Sequence, residues 1–352
     1  MADRRQPRLK EIASEVGLSI AAVSRALGGH SDIAAETRQR VQEAANRLGY
    51  IPSRAARMLV SGRTDFIGMV MPVREQPMLD ASLSEFVAGL GEGLADRGRD
   101  LFIATVTPRQ DTLEVLKHIV DGDRADAVVV NRTLHDDPRI SFLLDRRFPF
   151  VAHGRAEGET RPFAWVDTDS EAGFSEAVDL LFSLGHRRFG LLTSTTPFNF
   201  STIRRRAMET ALARHGLTLD AIAETPLGDN PAAETAALHL LTGNDRPTAI
   251  LCVTDALALS VLEVARKTGL RVPDDLSVIG FNNIPVAAYS SPPLSTFDQS
   301  VRKAAMAVAA MTIDLLEDRE PKTRNQLLPV RFIPRASHGP APAAPLRPPT
   351  IK

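Results

Sequence analysis

The feature that most constrains this chain is a change of hydrophobic period near residue 65. Before it, apolar residues recur at helical spacing: Leu9, Ile12, Ala13 and Val16 stand at i, i+3, i+4 and i+7, one face of an amphipathic helix. After it, short β-type runs alternate with amphipathic helices. The runs are Phe66–Met71, Leu101–Val106, Ala127–Val130, Phe189–Leu192, Ala249–Val253 and Ser277–Phe281. Helical patterns fill intervals such as Ser82–Arg97, Ala172–Leu184, Ile203–His215 and Asp255–Thr268. Such alternation argues for parallel sheets with helices on both faces, whose ligands bind outside the C-terminal ends of the strands. The expectation is a small all-α head and a larger α/β body.

Within the head, Gly17 breaks the first helix and Ser19 is a good N-cap for a second that buries Val23 and Leu27. Beyond Gly28-Gly29, a third apolar face of Val41, Ala44, Ala45 and Leu48 stops at Gly49 and Pro52. Ala13 is small where two helices must cross, Gly17 sits where a tight turn needs a left-handed backbone, and Val23 is apolar where the second helix meets the first. These are the constraints of a helix-turn-helix, whose second helix enters a DNA major groove; a helical hairpin used only for packing is the plainer alternative. The outward residues of that helix are Ser19, Ile20, Ala21, Ser24 and Arg25. Arg25 can reach guanine or phosphate, and Ile20 suits a thymine methyl. Charge agrees: residues 1–63 carry eleven Lys/Arg against six Asp/Glu, a head of +5 on a remainder of −6. Only the head should meet a polyanion.

A length of 352 residues allows two or three domains. The single cysteine, Cys252, forms no internal disulfide and reads as core; the start, Met-Ala-Asp-Arg-Arg, lacks the apolar stretch of a signal peptide, and no run is long enough for a membrane span. A cytoplasmic protein with no membrane partner is expected. An enzyme is disfavoured, because no nucleophile elbow, Walker loop, metal-spaced His/Cys cluster or paired carboxylates occur. No cofactor and no metal are expected. The glycines of Gly89-Leu-Gly-Glu-Gly miss dinucleotide spacing and read as helix packing. An exported solute-binding protein would have no use for the basic head. The Pro/Ala-rich tail from Pro334 is expected to be disordered.

Leu9-Lys-Glu-Ile-Ala-Ser-Glu-Val-Gly-Leu-Ser, Ala22-Val-Ser-Arg-Ala-Leu, Leu48-Gly-Tyr-Ile-Pro, Ser61-Gly-Arg-Thr-Asp-Phe-Ile-Gly, Val272-Pro-Asp-Asp-Leu-Ser-Val-Ile-Gly-Phe and Ser291-Pro-Pro-Leu-Ser-Thr appear in that order. Together they resemble the lactose/galactose repressor family of transcriptional regulators across residues 8–336. The resemblance implies a helix-turn-helix in 1–51, a hinge helix or linker in 52–63 and a periplasmic-binding-protein-like core in 64–336. That core would hold two doubly wound subdomains, 64–166 plus 297–324 and 167–296 plus 325–336, ahead of a tail at 337–352. It also implies a homodimer on near-palindromic operator DNA. Arg8, Leu9 and Tyr50 match flanking DNA contacts, and the segment with Arg54, Arg57 and Leu59 would fold on DNA, Leu59 wedging into the minor groove. Ala34 stands where the third helix usually has a capping serine, so Asp32 is expected to cap instead.

Members of the family bind a sugar, a sugar phosphate or a nucleobase between the subdomains. Arg204 matches an arginine that grips ligand hydroxyls through its fork of donors, and Asp169 and Asp255 match acidic cleft positions. Arg155, Thr254 and Asn282 join them, the last two departing from the usual asparagine and aspartate, while Asn230 replaces an aromatic. Phe198 and Phe200 would supply stacking. A neutral, hydroxyl-rich effector follows, a mono- or oligosaccharide held by Arg204 and Asp255 with Asn282 beside them; a purine stacked on the phenylalanines is the alternative. Arg155 and Asp255 are equally readable as structural pairs, Phe198 and Phe200 as core, and His186 as a helix cap.

Overall fold

The structure, a computed structural model, describes residues 9–28, 32–50, 62–72, 81–107, 109–219, 221–242, 245–317, 319 and 324–343. They fall into a head and a body.

The head is three helices: α1 (Leu9–Val16), α2 (Ile20–Leu27) and α3 (Ala35–Leu48). Ile12, Val23, Val41 and Ala44 are fully buried at its centre, with Ala13, Ala26 and Ala45 around them. Each large aliphatic side chain contributes about 1.5–3 kcal/mol on burial. The turn between α1 and α2 is made by Gly17 at φ +69°, and the Ser19 hydroxyl accepts the Ala22 N–H at 3.1 Å, capping α2. The third helix starts at Ala34 with no side-chain cap. Asp32 does not take over that role: it lies two residues before the start, and its carboxylate pairs with Arg25.

The body begins with β1 (Phe66–Pro72), α4 (Ala81–Ala95), β2 (Asp100–Val106), α5 (Thr112–Asp121), β3 (Ala127–Asn131), α6 (Pro138–Asp145), β4 (Phe150–His153) and β5 (Ala164–Thr168). It continues as α7 (Ser170–Ser183), β6 (Phe189–Ser194), α8 (Asn199–Arg214), β7 (Ala221–Thr225), α9 (Asn230–Leu241), β8 (Ala249–Cys252), α10 (Asp255–Lys267) and β9 (Ser277–Ile279). Last come β10 (Thr296–Asp298), α11 (Val301–Leu316), β11 (Asn325–Leu328) and β12 (Arg331–Ile333). Two parallel sheets result, ordered β11-β5-β4-β3-β1-β2 and β7-β6-β8-β9, with β10 and β12 as an antiparallel pair. The inner strands β3, β4, β6 and β8, with β9, are apolar and buried on both faces, as parallel strands under helices must be, whereas β2, β7 and β11 at the sheet edges are partly exposed. Chain connectivity passes between the two lobes after β5, after β10 and after β11.

The expected boundary that puts residues 325–328 in the second subdomain does not hold: β11 pairs in parallel with β5, Asn325 opposite Trp165, and extends the first sheet. Nor are residues 337–343 free of the body. Ser337 is fully buried; its hydroxyl donates to the Val278 carbonyl at 2.6 Å, and its carbonyl accepts the Val278 N–H at 2.7 Å. The Ala341 N–H donates to Leu184 O at 2.8 Å. Pro/Ala composition cannot build a core, yet here the unpaired edge of β9 supplies its partners. His186 does close α7, its backbone N–H donating to Leu181 O at 3.1 Å; its buried imidazole in addition bridges Thr248 Oγ1 (2.9 Å) and the Gly339 carbonyl (3.0 Å). Residues 344–352 lie outside the described residues.

The Gly89-Leu-Gly-Glu-Gly stretch does pack helices. It lies on α4 against α11, where a Cβ on Gly89 would come 3.0 Å from the Ala305 Cβ and one on Gly93 2.8 Å from the Ala309 Cβ. Cys252 is buried in β8. Among the described residues no helix is long and apolar enough to cross a membrane.

Candidate functional site

On the head, α2 turns Ser19, Ile20, Ala21 and Arg25 to the surface, with Ser24 half-buried. Ile20 is 48% exposed, a large apolar side chain held outward on a helix that buries Val23 and Ala26 behind it. Leu9 and Tyr50 are half-buried against the head core, and burial raises the Tyr50 phenol above its ordinary value. Arg25 faces Asp32, both about half exposed; so exposed a pair contributes at most about 1 kcal/mol and leaves the guanidinium able to exchange partners. Arg8, Arg54, Arg57 and Leu59 lie outside the described residues.

In the body, the C-terminal ends of the parallel strands converge on a cleft between the lobes. From the first sheet come Asn131 at the end of β3 and Thr133 beyond it, His153 at the end of β4 and Arg155 beyond it, and Asp167 and Thr168 at the end of β5. From the second come Phe200 and Arg204 on α8, Thr254 after β8 and Asn282 after β9, with Gln299 from the crossing after β10. Strand ends carry these groups because each βα turn leaves backbone and side chains free where the sheet stops.

Arg204 is the centre of the site. It is 3% exposed, yet its hydrogen-bond partners are neutral: the Val253 carbonyl, Ser170 Oγ at 3.2 Å and Gln299 Oε1 at 3.3 Å. Its guanidinium lies 3.9 Å from the Phe281 ring centroid and 4.8 Å from that of Phe200, a cation–π arrangement that substitutes for water. Burial pulls its pKa down to about 9, against the field of Asp167 and Asp255, which leaves it charged at neutral pH. Gln299 binds the site together. Its Oε1 accepts from Thr168 Oγ1 at 2.9 Å and from Arg204, and its amide donates to Asn282 Oδ1.

Arg155 reaches Asp167 through Nε at 2.9 Å and Glu171 through Nη1 at 3.5 Å. Its buried Nη2 has no partner among the described residues, so the same side chain is both a structural pair and a donor aimed into the cleft. His153 stacks on Phe86, centroids 4.3 Å apart. Burial pulls its imidazole down to about 4, so at neutral pH it offers one donor and one acceptor; its Nδ1 also lacks a partner among the described residues.

Of the expected effector residues, Arg155, Arg204, Thr254 and Asn282 come together here. Three do not. Asp169 caps α7, accepting the Ala172 N–H at 3.0 Å; the acid in the cleft is Asp167, two residues earlier. The Asp-Ser-Glu-Ala start of an amphipathic helix is an N-cap signature, and that signal was available in the sequence. Asp255 faces away from the cleft. Fully buried, it accepts from Thr296 Oγ1 and from the Ile284 N–H at 2.8 Å, and burial pushes its carboxyl up to about 6. Phe198 lines a neighbouring chamber, whereas Phe200 reaches the cleft. Sequence reasoning missed Asp167, His153 and Gln299. A polar residue at a strand end is a weak signal, and nothing local marked Gln299.

Residues 8–53 match the model of bacterial regulatory proteins of the lacI family, and residues 178–338 match a periplasmic binding protein-like domain. The chain is 34% identical over 338 residues to the HTH-type transcriptional regulator AglR of Rhizobium meliloti (strain 1021), covering 95% of each. It is 32% identical over 317 residues to RafR of Escherichia coli, covering 90% of this chain and 94% of that one. Among solved structures, it resembles a lac repressor dimer bound to operator and the anti-inducer ONPF, with TM-score 0.80, 25% identity and coverage of 95% of this chain and 99% of that one. A transcriptional regulator CelR–cellobiose complex gives TM-score 0.72 and 25% identity over 94% of this chain and all of that one.

Proposed function

Because the chain belongs to the LacI family of bacterial transcriptional regulators, we propose that it acts as a cytoplasmic homodimeric repressor whose operator affinity is set by a neutral carbohydrate bound around Arg204. The chain is a DNA-binding regulator with a helix-turn-helix head and a periplasmic-binding-protein-like body. Ser19, Ile20, Ala21, Ser24 and Arg25 are the groups proposed to face base edges and phosphates, with Arg8, Leu9 and Tyr50 flanking. Arg54, Arg57 and Leu59 would engage the minor groove of a near-palindromic site.

The observation that carries the effector reading is the charge balance of the cleft. Arg155 is already matched by Asp167 and Glu171, and Arg204 is dispersed over neutral acceptors and two rings. What lines the cleft is a mixture of donors and acceptors on Arg132, Arg155, His153, Asn131, Thr254 and Asn282, the complement of sugar hydroxyls. A phosphate would need more uncommitted positive charge. CelR, one of the structural relatives, is a complex with cellobiose.

The test is fluorescence anisotropy on an operator selected from genomic fragments, with a panel of free sugars and nucleobases. One sugar is expected to change operator affinity at least tenfold. Arg204→Ala should keep operator binding and lose that response. A response to nucleobases and to no sugar would replace the carbohydrate with a purine; no response to either would refute the effector reading.

A further inference from the structure

We propose that the effector is longer than one sugar ring, and that its second unit occupies a chamber beside the Arg204 cleft walled by Met69, Met71, Leu113, Leu134, Pro138 and Phe198. This rests on the carbohydrate reading and deepens it. Leu83, Asn131 and Arg132 line the Arg204 cleft and this chamber alike, so the two adjoin at the end of β3. The volumes differ: about 110 Å³ around Arg204 and about 370 Å³ in the chamber. Small-molecule sites span roughly 300–1,000 Å³. The Arg204 cleft by itself is below that range, and the adjoining chamber brings the site into it.

The chamber's chemistry fits a neutral ring. Three charged residues line it: Asp111 caps α5 by accepting the Leu113 N–H at 2.8 Å, Arg139 pairs with Asp137 at 2.6 Å while donating to the Arg132 carbonyl at 3.0 Å, and Arg132 itself stands at the border with the Arg204 cleft. What is left is thioether, aliphatic and aromatic surface, with Asn131, Thr112 and Thr196 among it. A pyranose has this duality, a C–H face for apolar walls and hydroxyls at its edge. Methionine side chains adapt to such irregular shapes.

Local structure puts the aromatic wall in place. The Pro197-Phe-Asn-Phe segment of the second lobe is stitched to the strand end of the first by a Leu134–Phe198 bridge, by Asn199 N–H to Thr133 O at 2.9 Å and by His135 N–H to Pro197 O at 3.3 Å. Alternate residues then diverge: Phe200 lines the Arg204 cleft and Phe198 the chamber, their rings stacked with centroids 5.4 Å apart at 10°. One aromatic pair thus runs along both compartments, offering a surface to consecutive rings. A unit in the chamber touches both lobes, since Met69 and Leu113 belong to the first and Thr196 and Phe198 to the second.

The experiment is titration calorimetry on the full chain with D-glucose, D-galactose, maltose, cellobiose and melibiose. At least one disaccharide should bind tenfold or more tightly than either monosaccharide. Leu113→Trp, which fills the chamber from α5, should erase that advantage to within threefold while the monosaccharides bind as before. Thr112→Phe is a second filling variant, should the first fail to fold. Monosaccharides binding as tightly as every disaccharide would overturn the proposal, as would a disaccharide advantage that survives both variants. If none of the five sugars binds, the carbohydrate reading itself falls; if monosaccharides bind without any disaccharide advantage, only the second unit falls.

Discussion

Asp255 offers the sharpest test of how the body is held together. The acid sits at the first position of α10, fully buried, and its two oxygens take the Thr296 hydroxyl and the Ile284 N–H. Burial raises its carboxyl from the ordinary range near 4 to about 6. At 1.36 kcal/mol per pH unit, that rise corresponds to about 3 kcal/mol. A carboxyl whose pKa rises on folding holds its proton more tightly in the folded protein. Its contribution to stability is therefore full below about pH 4 and is lost as the pH climbs through about 6. His153 titrates in the same window with the opposite sign. Its imidazole is pulled down to about 4, so stability is full above about pH 6.5 and is lost on acidification.

Between pH 4 and 7 these two terms oppose each other, while burial also pulls the His186 and His338 imidazoles down, so the wild type should lose stability on acidification with Asp255 offsetting part of the loss. Asp255→Asn removes one of them. Its amide oxygen can accept the Ile284 N–H, and its NH2 can donate to the Thr296 oxygen, so the fold should survive. The variant should match or exceed the wild type at pH 7 and fall behind it by about 3 kcal/mol more at pH 4 than at pH 7. Asp255→Ala should differ, leaving two buried donors unmet at about 1–3 kcal/mol each at every pH. Urea denaturation across this range reads all three proteins. A difference between wild type and Asp255→Asn that stays constant from pH 4 to 7 would refute the argument from burial. Effector affinity should be unchanged in Asp255→Asn, because the side chain faces away from the cleft.

Three further outcomes are expected. Gly93→Val should lower stability by about 1–3 kcal/mol, since even a Cβ there meets the Ala309 Cβ at 2.8 Å; an unchanged melting temperature would mean α4 and α11 are not in close packing. His186→Ala should remove one hydrogen bond from Thr248 Oγ1, which keeps Arg188 O, and one from Gly339 O, which keeps Ser277 Oγ, costing about 1–3 kcal/mol, and should make residues 334–343 more open to limited proteolysis; resistance equal to the wild type would show that this segment holds without it. Ile20→Ser should change which half-site a random library returns more than it changes non-specific affinity. Recovery of the wild-type half-site would place Ile20 away from the bases.

What was legible in the sequence was set by short-range periodicity; what was not was set by hydrogen bonds from far along the chain. Ala13, Gly17 and Val23 announce the head because a tight turn and a close crossing restrict side-chain size within ten residues. The buried strands announce themselves through Val/Ile runs, and Gly89 and Gly93 through helical spacing. Asp169 was misplaced because the direction of a strand-end acid depends on where the strand stops, and here the Asp169 N–H is pinned by the Leu328 carbonyl at 2.8 Å. Asp255 was misplaced because its partners, Thr296 and Ile284, arrive on later loops. Gln299 was missed for the same reason, and it is the most informative of the three. It stands at one crossing between the lobes, bonds Thr168 beside another, and holds both Arg204 and Asn282 in the cleft. A ligand that takes a donor from Arg204 or an acceptor from Asn282 must compete with Gln299. On the proposed reading, ligand recognition and the path of the chain between lobes would share the same few hydrogen bonds, so that occupancy of the cleft would bear on the crossings.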